Sequence, residues 1–289
     1  TSSGQAASFY AIMNICEAGD HIVCASALYG GTYNLYAHTI KKMGVDATFV
    51  DPNASEEEIS AAFQENTKAL FGETISNPLI VDNTFATPIN CRPFEWGADI
   101  VTHSTTKYMD GHAMCVGGCI VDSGNFDWEA HHDKYTCLTE PDETYHGIVY
   151  TQKFGKGAYI TKATSQLMRD LGSIQSPQNA FLLNIGLETL HLRMPRHCEN
   201  ALKVAQFLKG YEKVAWVHYP DLEGDEYHDL AKKYMPNGTC GVLTFGIKGG
   251  RDASVTLMDH LKLAAIVTHV ADARTSVLHP ASHTHRQMN

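Results

Sequence analysis

The first 125 residues alternate short apolar runs with amphipathic stretches. Apolar, strand-like runs lie at residues 21–24, 69–73, 79–82, 100–102 and 116–121. Helical stretches are predicted from Ser2 to about Cys16, from Tyr29 to near Gly44, and after Ser55, which forms a capping box with Glu58. Such alternation is typical of βαβ units, so we predict an α/β fold with a mostly parallel central sheet.

The second half of the chain has a different pattern. Residues 126–180 are irregular and rich in His, Tyr and Gly, which predicts a long active-site or interface excursion. A long helix is expected over 187–208, kinked at Pro195 and ended by Gly210. Strands at 214–217 and 242–247 and a helix at 253–263 follow. We therefore predict a large domain over 1–185, and a linker helix with a smaller α+β domain over 186–289.

Composition narrows the class of protein. The chain has 289 residues, 44% of them hydrophobic, and a formal net charge of -10 without a basic run, so nucleic acid is not an expected partner. No apolar run approaches the roughly 18 residues of a membrane span, and no secretory signal is visible, so we expect a cytoplasmic protein without a membrane partner. Eight scattered cysteines without a CxxC pair are interpreted as reduced packing residues.

Two charged residues give the best indication of chemistry. Asp82 and Lys107 each follow a strand-like run, and the carboxyl ends of neighbouring parallel strands face one crevice where α/β sheets bind ligands. Pyridoxal phosphate (PLP) needs a lysine amine, an acid at its pyridine nitrogen and donors for its phosphate. The chain contains candidates for all three kinds of group.

One connection conflicts with the parallel topology. Only Thr74 to Pro78 separate the runs at 69–73 and 79–82, whereas a parallel crossover needs a dozen or more residues. A hairpin would fit that length, but it would place Asn77 and Asp82 at opposite ends of their strands. We therefore expect that residues are missing between Pro78 and Leu79.

Several motifs, in one order, resemble those of PLP-dependent trans-sulfuration (Cys/Met metabolism) enzymes. They are Ser2-Ser3-Gly4-Gln5-Ala6-Ala7, Tyr29-Gly30-Gly31-Thr32, Glu73 with Ser76-Asn77-Pro78, Val81-Asp82-Asn83-Thr84, Ser104-Thr105-Thr106-Lys107-Tyr108 and His279-Pro280-Ala281-Ser282. Leu138 to Asp142, Tyr145-His146-Gly147, Leu187 to Arg193 and Tyr219-Pro220 most resemble the O-acetylhomoserine sulfhydrylase branch. Each motif alone has an ordinary explanation as a turn, cap or surface residue; their joint order favours the family.

The resemblance implies the aspartate aminotransferase-like fold (fold type I) and a role for each matching residue. Lys107 would hold PLP as a covalent aldimine and then move protons at Cα and Cβ. Asp82 would pair with the pyridine nitrogen, and Tyr29 would stack on the ring and assist proton transfer. The other implied contacts are Gly4, Gln5, Ser104 and Thr106 with the phosphate, and Asn77 and Ser282 with the ring oxygen or the substrate carboxylate.

The implied reaction is a γ-replacement in methionine biosynthesis. O-acetyl-L-homoserine and sulfide, or a thiol, would give L-homocysteine, or methionine, and acetate; cystathionine γ-synthase and methionine γ-lyase activities are the family alternatives. The resemblance also implies a homotetramer whose active sites are shared across a dimer interface. Family members carry an N-terminal segment, roughly twenty crossover residues after Pro78 and a C-terminal arginine, so we expect a longer chain than this one.

A metal site is the alternative from another class. His279, His283 and His285 lie close together in a chain with 16 histidines, which would suit a His-rich metal-binding protein or a metallohydrolase. Their spacing lacks the HExxH pattern, and Pro280 opposes a regular helix there. We therefore assign no metal ligand.

Overall fold

The computed structural model describes residues 1–72 and 78–284, and these form two compact units. The first unit comprises Thr1–Asn83, Pro93–Thr105 and Val116–Ser176. The second comprises Thr84–Arg92, Thr106–Cys115 and Pro177–Asn289. The chain therefore passes between the units more than once, and a domain boundary near residue 185 stays a prediction.

A mixed sheet forms the centre of the first unit. Among the described residues its strands are β1 His21–Ala25, β2 Asp46–Val50, β3 Thr67–Phe71, β4 Leu79–Asp82, β5 Ile100–Ser104 and β6 Gly118–Asp122. Their spatial order is β2-β1-β3-β4-β5-β6. Neighbours pair in parallel except β5 and β6, which pair antiparallel from Ser104↔Gly118 to Ile100↔Asp122. The predicted α/β fold with a mostly parallel sheet is confirmed.

Alternate residues of the strands enter two cores. Ile22, Cys24 and Phe71 belong to the larger core, which includes residues of the first helix, while Val23 and Leu70 belong to a smaller core. Because successive side chains of a strand point to opposite faces, both faces of the sheet are covered. This double burial explains why the strands read as continuous apolar runs rather than as alternating patterns.

The helices of the described residues vary greatly in length. They are α1 Gly4–Met13, α2 Gly30–Asn34, α3 Glu56–Ala61, α4 Thr87–Asn90, α5 Thr136–Thr139, α6 Tyr150–Phe154, α7 Ala158–Lys162, α8 Arg169–Leu171, α9 Pro177–Glu188, α10 Leu190–Lys209, α11 His228–Tyr234 and α12 Gly250–His260. In α3, Ser55 and Glu58 form the predicted capping box. After α2, π-helical and 3₁₀ turns continue to Met43, and Gly44 ends them with φ 89°. Every described helix is too short or too polar to span a bilayer.

Strands β3 and β4 are neighbours in the sheet. Leu70 pairs with Leu79 and Phe71 with Ile80, both in parallel, so the parallel interpretation is confirmed and the hairpin is wrong. The described residues Gly72 and Pro78 flank 73–77, which lie outside the description. Glu73, Ser76 and Asn77 are therefore not placed, and the missing crossover stays a prediction.

The second unit contains the long helix and two small sheets. Helix α10 buries Met194, Cys198, Ala201 and Ala205, a stripe at helical spacing. Strands β7 Val214–His218 and β8 Thr244–Ile247 pair antiparallel, and β9 Ala265–Ile266 pairs in parallel with β10 Ser276–Val277. Helix α10, β7 and β8 agree with the helix and the two strands expected there, whereas β9 and β10 were not predicted.

Several predicted boundaries were wrong. The helix expected over 187–208 is two helices that meet at Thr189, whose ψ of 0° departs from helical geometry. Helix α12 ends at His260 rather than near 263. The stretch 126–180 carries short helices instead of irregular chain. Strand β2 was not predicted, and α1 ends at Met13, before Cys16.

Candidate active site

Three predicted site residues follow or end strands at the carboxyl edge of the parallel sheet. Tyr29 follows β1, Asp82 ends β4 and Ser104 ends β5. The chain steps from β1 to β2 on one side and then to β3 on the other, so strand order reverses beside β1. Ligands of open α/β sheets bind at the carboxyl edge near such a reversal. The first unit thus brings these three residues to one edge.

The start of α1 lies against the end of β5. The Gly4 and Gln5 N–H groups and the Ser104 side chain are called here the anion cradle, because they are the predicted phosphate site. The Ser3 side chain caps α1 by accepting a hydrogen bond from the Ala6 N–H at 3.0 Å. Among the described residues the Gly4 and Gln5 N–H groups donate to no acceptor. A Cβ on Gly4 would lie 2.4 Å from Ser104 Cβ, so these groups are in close contact.

A glycine in β6 supports this cradle and was missed by sequence reasoning. A Cβ on Gly118 would lie 2.2 Å from the Ser3 carbonyl oxygen and 2.8 Å from the Gly4 nitrogen. The Gly118 N–H donates to the Thr1 carbonyl at 3.0 Å. Only glycine allows β6 to approach the helix start so closely. A glycine within a strand often indicates such an approach, and that signal was present.

Tyr29 is joined to the cradle through Gln5. The Gln5 side-chain amide donates to the Gly31 carbonyl at 2.8 Å, which links the first turns of α1 and α2. A Cβ on Gly31 would lie 2.6 Å from the Tyr29 ring, so the ring lies over the start of α2. Tyr29 is 75% exposed, which leaves its ring accessible to a ligand.

The Asp82 carboxylate is exposed at the end of β4. Burial raises the pKa of Tyr36 and of Cys119, and the negative charge of Asp82 adds to both shifts. Burial lowers the pKa of His103, in the neighbouring strand β5, to about 4. A hydrogen bond with the Asn83 backbone raises that pKa but does not offset the burial. His103 is therefore neutral. Its hydrogen bond fixes the backbone of Asn83, the residue that follows Asp82.

Lys107 belongs to the second unit, where it opens a tight turn over residues 107–111, called here the Lys107 turn. The Gly111 N–H donates to the Lys107 carbonyl at 2.8 Å. Burial lowers the pKa of the Lys107 amine, which increases its neutral fraction and suits a nucleophile or a base. Thr106 immediately precedes it. The pairing of Lys107 with Asp82, and of Thr106 with the cradle, stays a prediction.

The remaining predicted residues have local partners or are not described. The Ser282 hydroxyl and His279 Nδ1 are 2.9 Å apart, and His283 Nδ1 lies 3.0 Å from the His279 carbonyl. Asn77 and His285 lie outside the described residues. Within 1–72 and 78–284 no group of three metal-ligating side chains is assembled.

Comparisons with known proteins agree on one family. The model of the family described as Cys/Met metabolism PLP-dependent enzyme matches residues 1–80 and 78–289. The chain is 45% identical over 312 residues to a homocysteine synthase of Schizosaccharomyces pombe, covering 100% of this chain and 72% of that protein. It is 41% identical over 317 residues to an O-acetyl-L-homoserine sulfhydrylase of Leptospira meyeri. That alignment covers 100% of this chain and 71% of the other protein.

A solved structure shows the same likeness. It is that of a proposed O-acetylhomoserine (thiol)-lyase from Campylobacter jejuni, which contains N'-pyridoxyl-lysine-5'-monophosphate. It matches this chain with a TM-score of 0.91 and 34% identity, covering 100% of this chain and 73% of the other. The predicted resemblance and the PLP-dependent fold are confirmed.

The residues of the first unit fit a phosphorylated, aromatic cofactor. The two N–H groups of the cradle stand at a helix N-terminus, where an anion is favoured by the helix dipole as well as by hydrogen bonds. Because Gly4 has no side chain, Ser104 can lie beside these two N–H groups. The Tyr29 ring and the Asp82 carboxylate offer stacking and an acidic partner at the same edge.

Proposed function

Because the chain belongs to the Cys/Met metabolism PLP-dependent enzyme family, we propose that it catalyses a γ-replacement that forms L-homocysteine and acetate from O-acetyl-L-homoserine and sulfide. A small thiol would replace sulfide in a parallel reaction that gives a thioether such as methionine. Support comes from the relatives named homocysteine synthase and O-acetyl-L-homoserine sulfhydrylase, at 45% and 41% identity over the whole chain.

The proposed reaction balances without an oxidant or a reductant. The bond between Cγ and the acetyl oxygen breaks, acetate leaves with the electron pair, and a bond forms between Cγ and sulfur. PLP, when bound, supplies an electron sink that makes the protons on substrate carbons removable. The remaining work is binding, orientation and proton transfer by side chains.

Lys107 has the central role in this proposal. Its amine would hold the cofactor and would then act as the base that takes the proton from Cα of the substrate and transfers protons at Cβ. Its lowered pKa, caused by burial, favours the neutral amine that both tasks need. Lys107 follows Ser104 by three residues, so the extended chain limits the distance between their Cα atoms to about 11 Å.

The other proposed roles follow from position and charge. Asp82 pairs with the pyridine nitrogen and holds a proton there, and Tyr29 stacks on the ring and assists proton transfer. The N–H groups of Gly4 and Gln5 bind the phosphate. Hydroxyls of Ser104 and Thr106 add further hydrogen bonds to the phosphate.

Asn77 and Ser282 are proposed to orient the ring oxygen or the substrate carboxylate. Among the described residues, the Ser282 hydroxyl already contacts His279, so carboxylate binding requires that hydroxyl to share or exchange its partner.

The observation that carries the proposal is the anion cradle at the carboxyl edge of the sheet. Its two N–H groups lie beside Ser104, and Tyr29 and Asp82 follow or end strands at the same edge of the sheet in the first unit, which supports binding of a phosphorylated ring there.

A product assay tests the proposal. PLP-loaded protein is given O-acetyl-L-homoserine and sulfide, and homocysteine and acetate are measured. Lys107→Ala should abolish both the product and the visible absorbance of lysine-linked cofactor. Lys134→Ala is the matched control, because burial also lowers the pKa of that lysine. Activity that survives in Lys107→Ala, or a colourless wild-type protein that loses activity to a chelator, contradicts the proposal.

Substrates offered alone separate the family activities. Release of ammonia and 2-oxobutanoate from methionine, without sulfide, would assign a γ-lyase. Formation of cystathionine from cysteine and the acylated homoserine would assign a cystathionine synthase. We propose that homocysteine is the main product, because both relatives described above are named for that product or for the sulfhydrylase reaction.

Chain length and assembly are further parts of the proposal. The family match is divided at residues 78–80, and the yeast alignment spans 312 positions against 289 residues here, which supports a crossover missing after Pro78. An intact mass of 31.8 kDa for purified active protein would refute this. A homotetramer with shared active sites is proposed from the family resemblance, and light scattering on the loaded protein would test it.

A further inference from the structure

Arg193, in the first turns of α10, makes an unusually complete set of hydrogen bonds within the second unit. Its Nη1 donates to the Tyr108 carbonyl at 2.7 Å, and its Nη2 donates to the Gly186 carbonyl at 2.7 Å. A longer bond joins Nη2 to the Met109 carbonyl at 3.4 Å. Nε donates to the Thr189 hydroxyl oxygen at 3.0 Å. The guanidinium thus binds two consecutive carbonyls of the Lys107 turn.

Two glycines make this arrangement possible. A Cβ on Gly111 would lie 2.2 Å from Arg193 Nη1, and Gly111 has a φ of +71°. A Cβ on Gly186 would lie 2.5 Å from the Met109 and Asp110 carbonyl oxygens. The Lys107 turn, the end of α9 and the start of α10 therefore interlock without room for a side chain at either glycine.

The charge of Arg193 is also balanced locally. Burial lowers the pKa of its guanidinium, while the nearby Asp110 carboxylate acts in the opposite direction. Asp110 is itself buried, and its Oδ2 accepts hydrogen bonds from the Met114 N–H at 2.9 Å and the His112 N–H at 3.3 Å. Arg193 is half-buried, and both of its Nη atoms donate to main-chain carbonyls. It is therefore suited to fixing peptide planes rather than to binding a surface anion.

We propose that Arg193 is a positioning residue for Lys107. It holds the Tyr108 and Met109 peptide planes, and with them the direction in which the Lys107 side chain leaves the backbone. The Gly111 N–H donates to the Lys107 carbonyl and so closes the turn in which these two peptide planes lie. This inference rests on the proposed role of Lys107. It gives a role to Arg193, the last residue of the Leu187 to Arg193 motif, which has no role in the proposed reaction.

Substitution of Arg193 tests the proposal. Arg193→Met keeps the aliphatic stem but removes every donor, and Arg193→Lys keeps the charge but cannot reach the same set of carbonyls at once. The matched control is Arg196→Met on the same helix, because Arg196 is exposed and pairs only with Glu199 at 3.1 Å among the described contacts. Each variant is loaded with PLP, and its thermal unfolding is measured first.

Three readouts then distinguish positioning from simple structural support. In folded Arg193→Met we expect kcat to fall by between about tenfold and a hundredfold, because a displacement of about 1 Å costs that much, while KM changes little. The pH at which the visible cofactor absorbance changes should move, and borohydride trapping of the cofactor on the Lys107 peptide should slow. Arg193→Lys should be intermediate, and Arg196→Met should match wild type.

The opposite results overturn the proposal. Folded Arg193→Met with wild-type kcat and an unchanged absorbance–pH curve refutes it, as does Arg196→Met with the same losses. If Arg193→Met does not fold, Thr189→Val decides, since it removes the hydroxyl that accepts from Nε and donates to the Gly186 carbonyl. An unchanged absorbance–pH curve in that variant refutes the proposal. A wild-type protein that shows lysine-linked absorbance but makes no homocysteine refutes the proposed reaction and leaves the absorbance test of Arg193 intact.

Discussion

Replacement of Gly4 by alanine should damage the anion cradle. The new Cβ would lie 2.4 Å from Ser104 Cβ and 2.8 Å from Ser104 Cα. Carbon atoms pack at about 3.5–4.0 Å, so α1 and β5 must separate by about 1 Å. Rotation of the Ser104 side chain cannot relieve this contact, because Cα belongs to the main chain of β5.

Two effects of known size oppose one another in this variant. Overpacking of this kind costs about 1–3 kcal/mol, whereas alanine for glycine in a helix gains up to about 1 kcal/mol. We therefore expect a net loss of about 1 kcal/mol in the free energy of unfolding. The displaced N–H groups should also lose contact with the phosphate, which weakens PLP binding by between about tenfold and a hundredfold.

Urea unfolding of the cofactor-free protein and a PLP titration followed by absorbance measure both effects. Gly30→Ala is the matched control, since Gly30 is also the first residue of a helix and an added Cβ there meets nothing within 4 Å. It should stabilise the protein slightly and leave PLP affinity unchanged. If Gly4→Ala behaves like Gly30→Ala in both measurements, the close contact between α1 and β5 is not what positions the cradle.

Three further outcomes are expected. His103 has a folded-state pKa of about 4 against an ordinary 6.5, so the folded protein binds fewer protons and stability should fall as pH drops from 6.5 towards 4. The loss should reach about 2 kcal/mol at about pH 5 and should shrink in His103→Gln, as measured by urea unfolding at each pH. Asp82→Asn should still bind PLP but lose at least about tenfold in kcat, because an amide cannot keep the pyridine nitrogen protonated; an unchanged kcat would contradict the role of Asp82. Ser55→Ala should cost about 1 kcal/mol in thermal or urea unfolding by removing the capping box, while Ser60→Ala on the same helix should not.

The sheet could be predicted because its strands are buried on both faces and stand out as apolar runs between helix signals. Strand β2 was missed because it is an edge strand whose residues are only partly buried, so its pattern is weak. The split at Thr189 was missed because leucines continue the helical period across it. Local sequence carries little information on breaks that depend on contacts with distant residues.

The candidate site likewise contains some residues that the sequence indicates and others that it does not. Gly4, Asp82 and Ser104 could be named because each stands beside a recognisable strand end or helix start. Gly118 and Arg193 could not, because their partners, Ser3 and Tyr108, are far away in the sequence and their importance lies in close approach. Such roles become visible only when the distances between elements are known.

The contact between Ser3 and Gly118 has a consequence for synthesis on the ribosome. Helix α1 is translated before β6, the strand that backs its first turn, which follows more than a hundred residues later. Domains generally fold as units during translation, N-terminal parts first. A nascent chain that ends before β6 therefore exposes a helix start without its support, so PLP binding at the proposed cradle would require β6 to have left the ribosome.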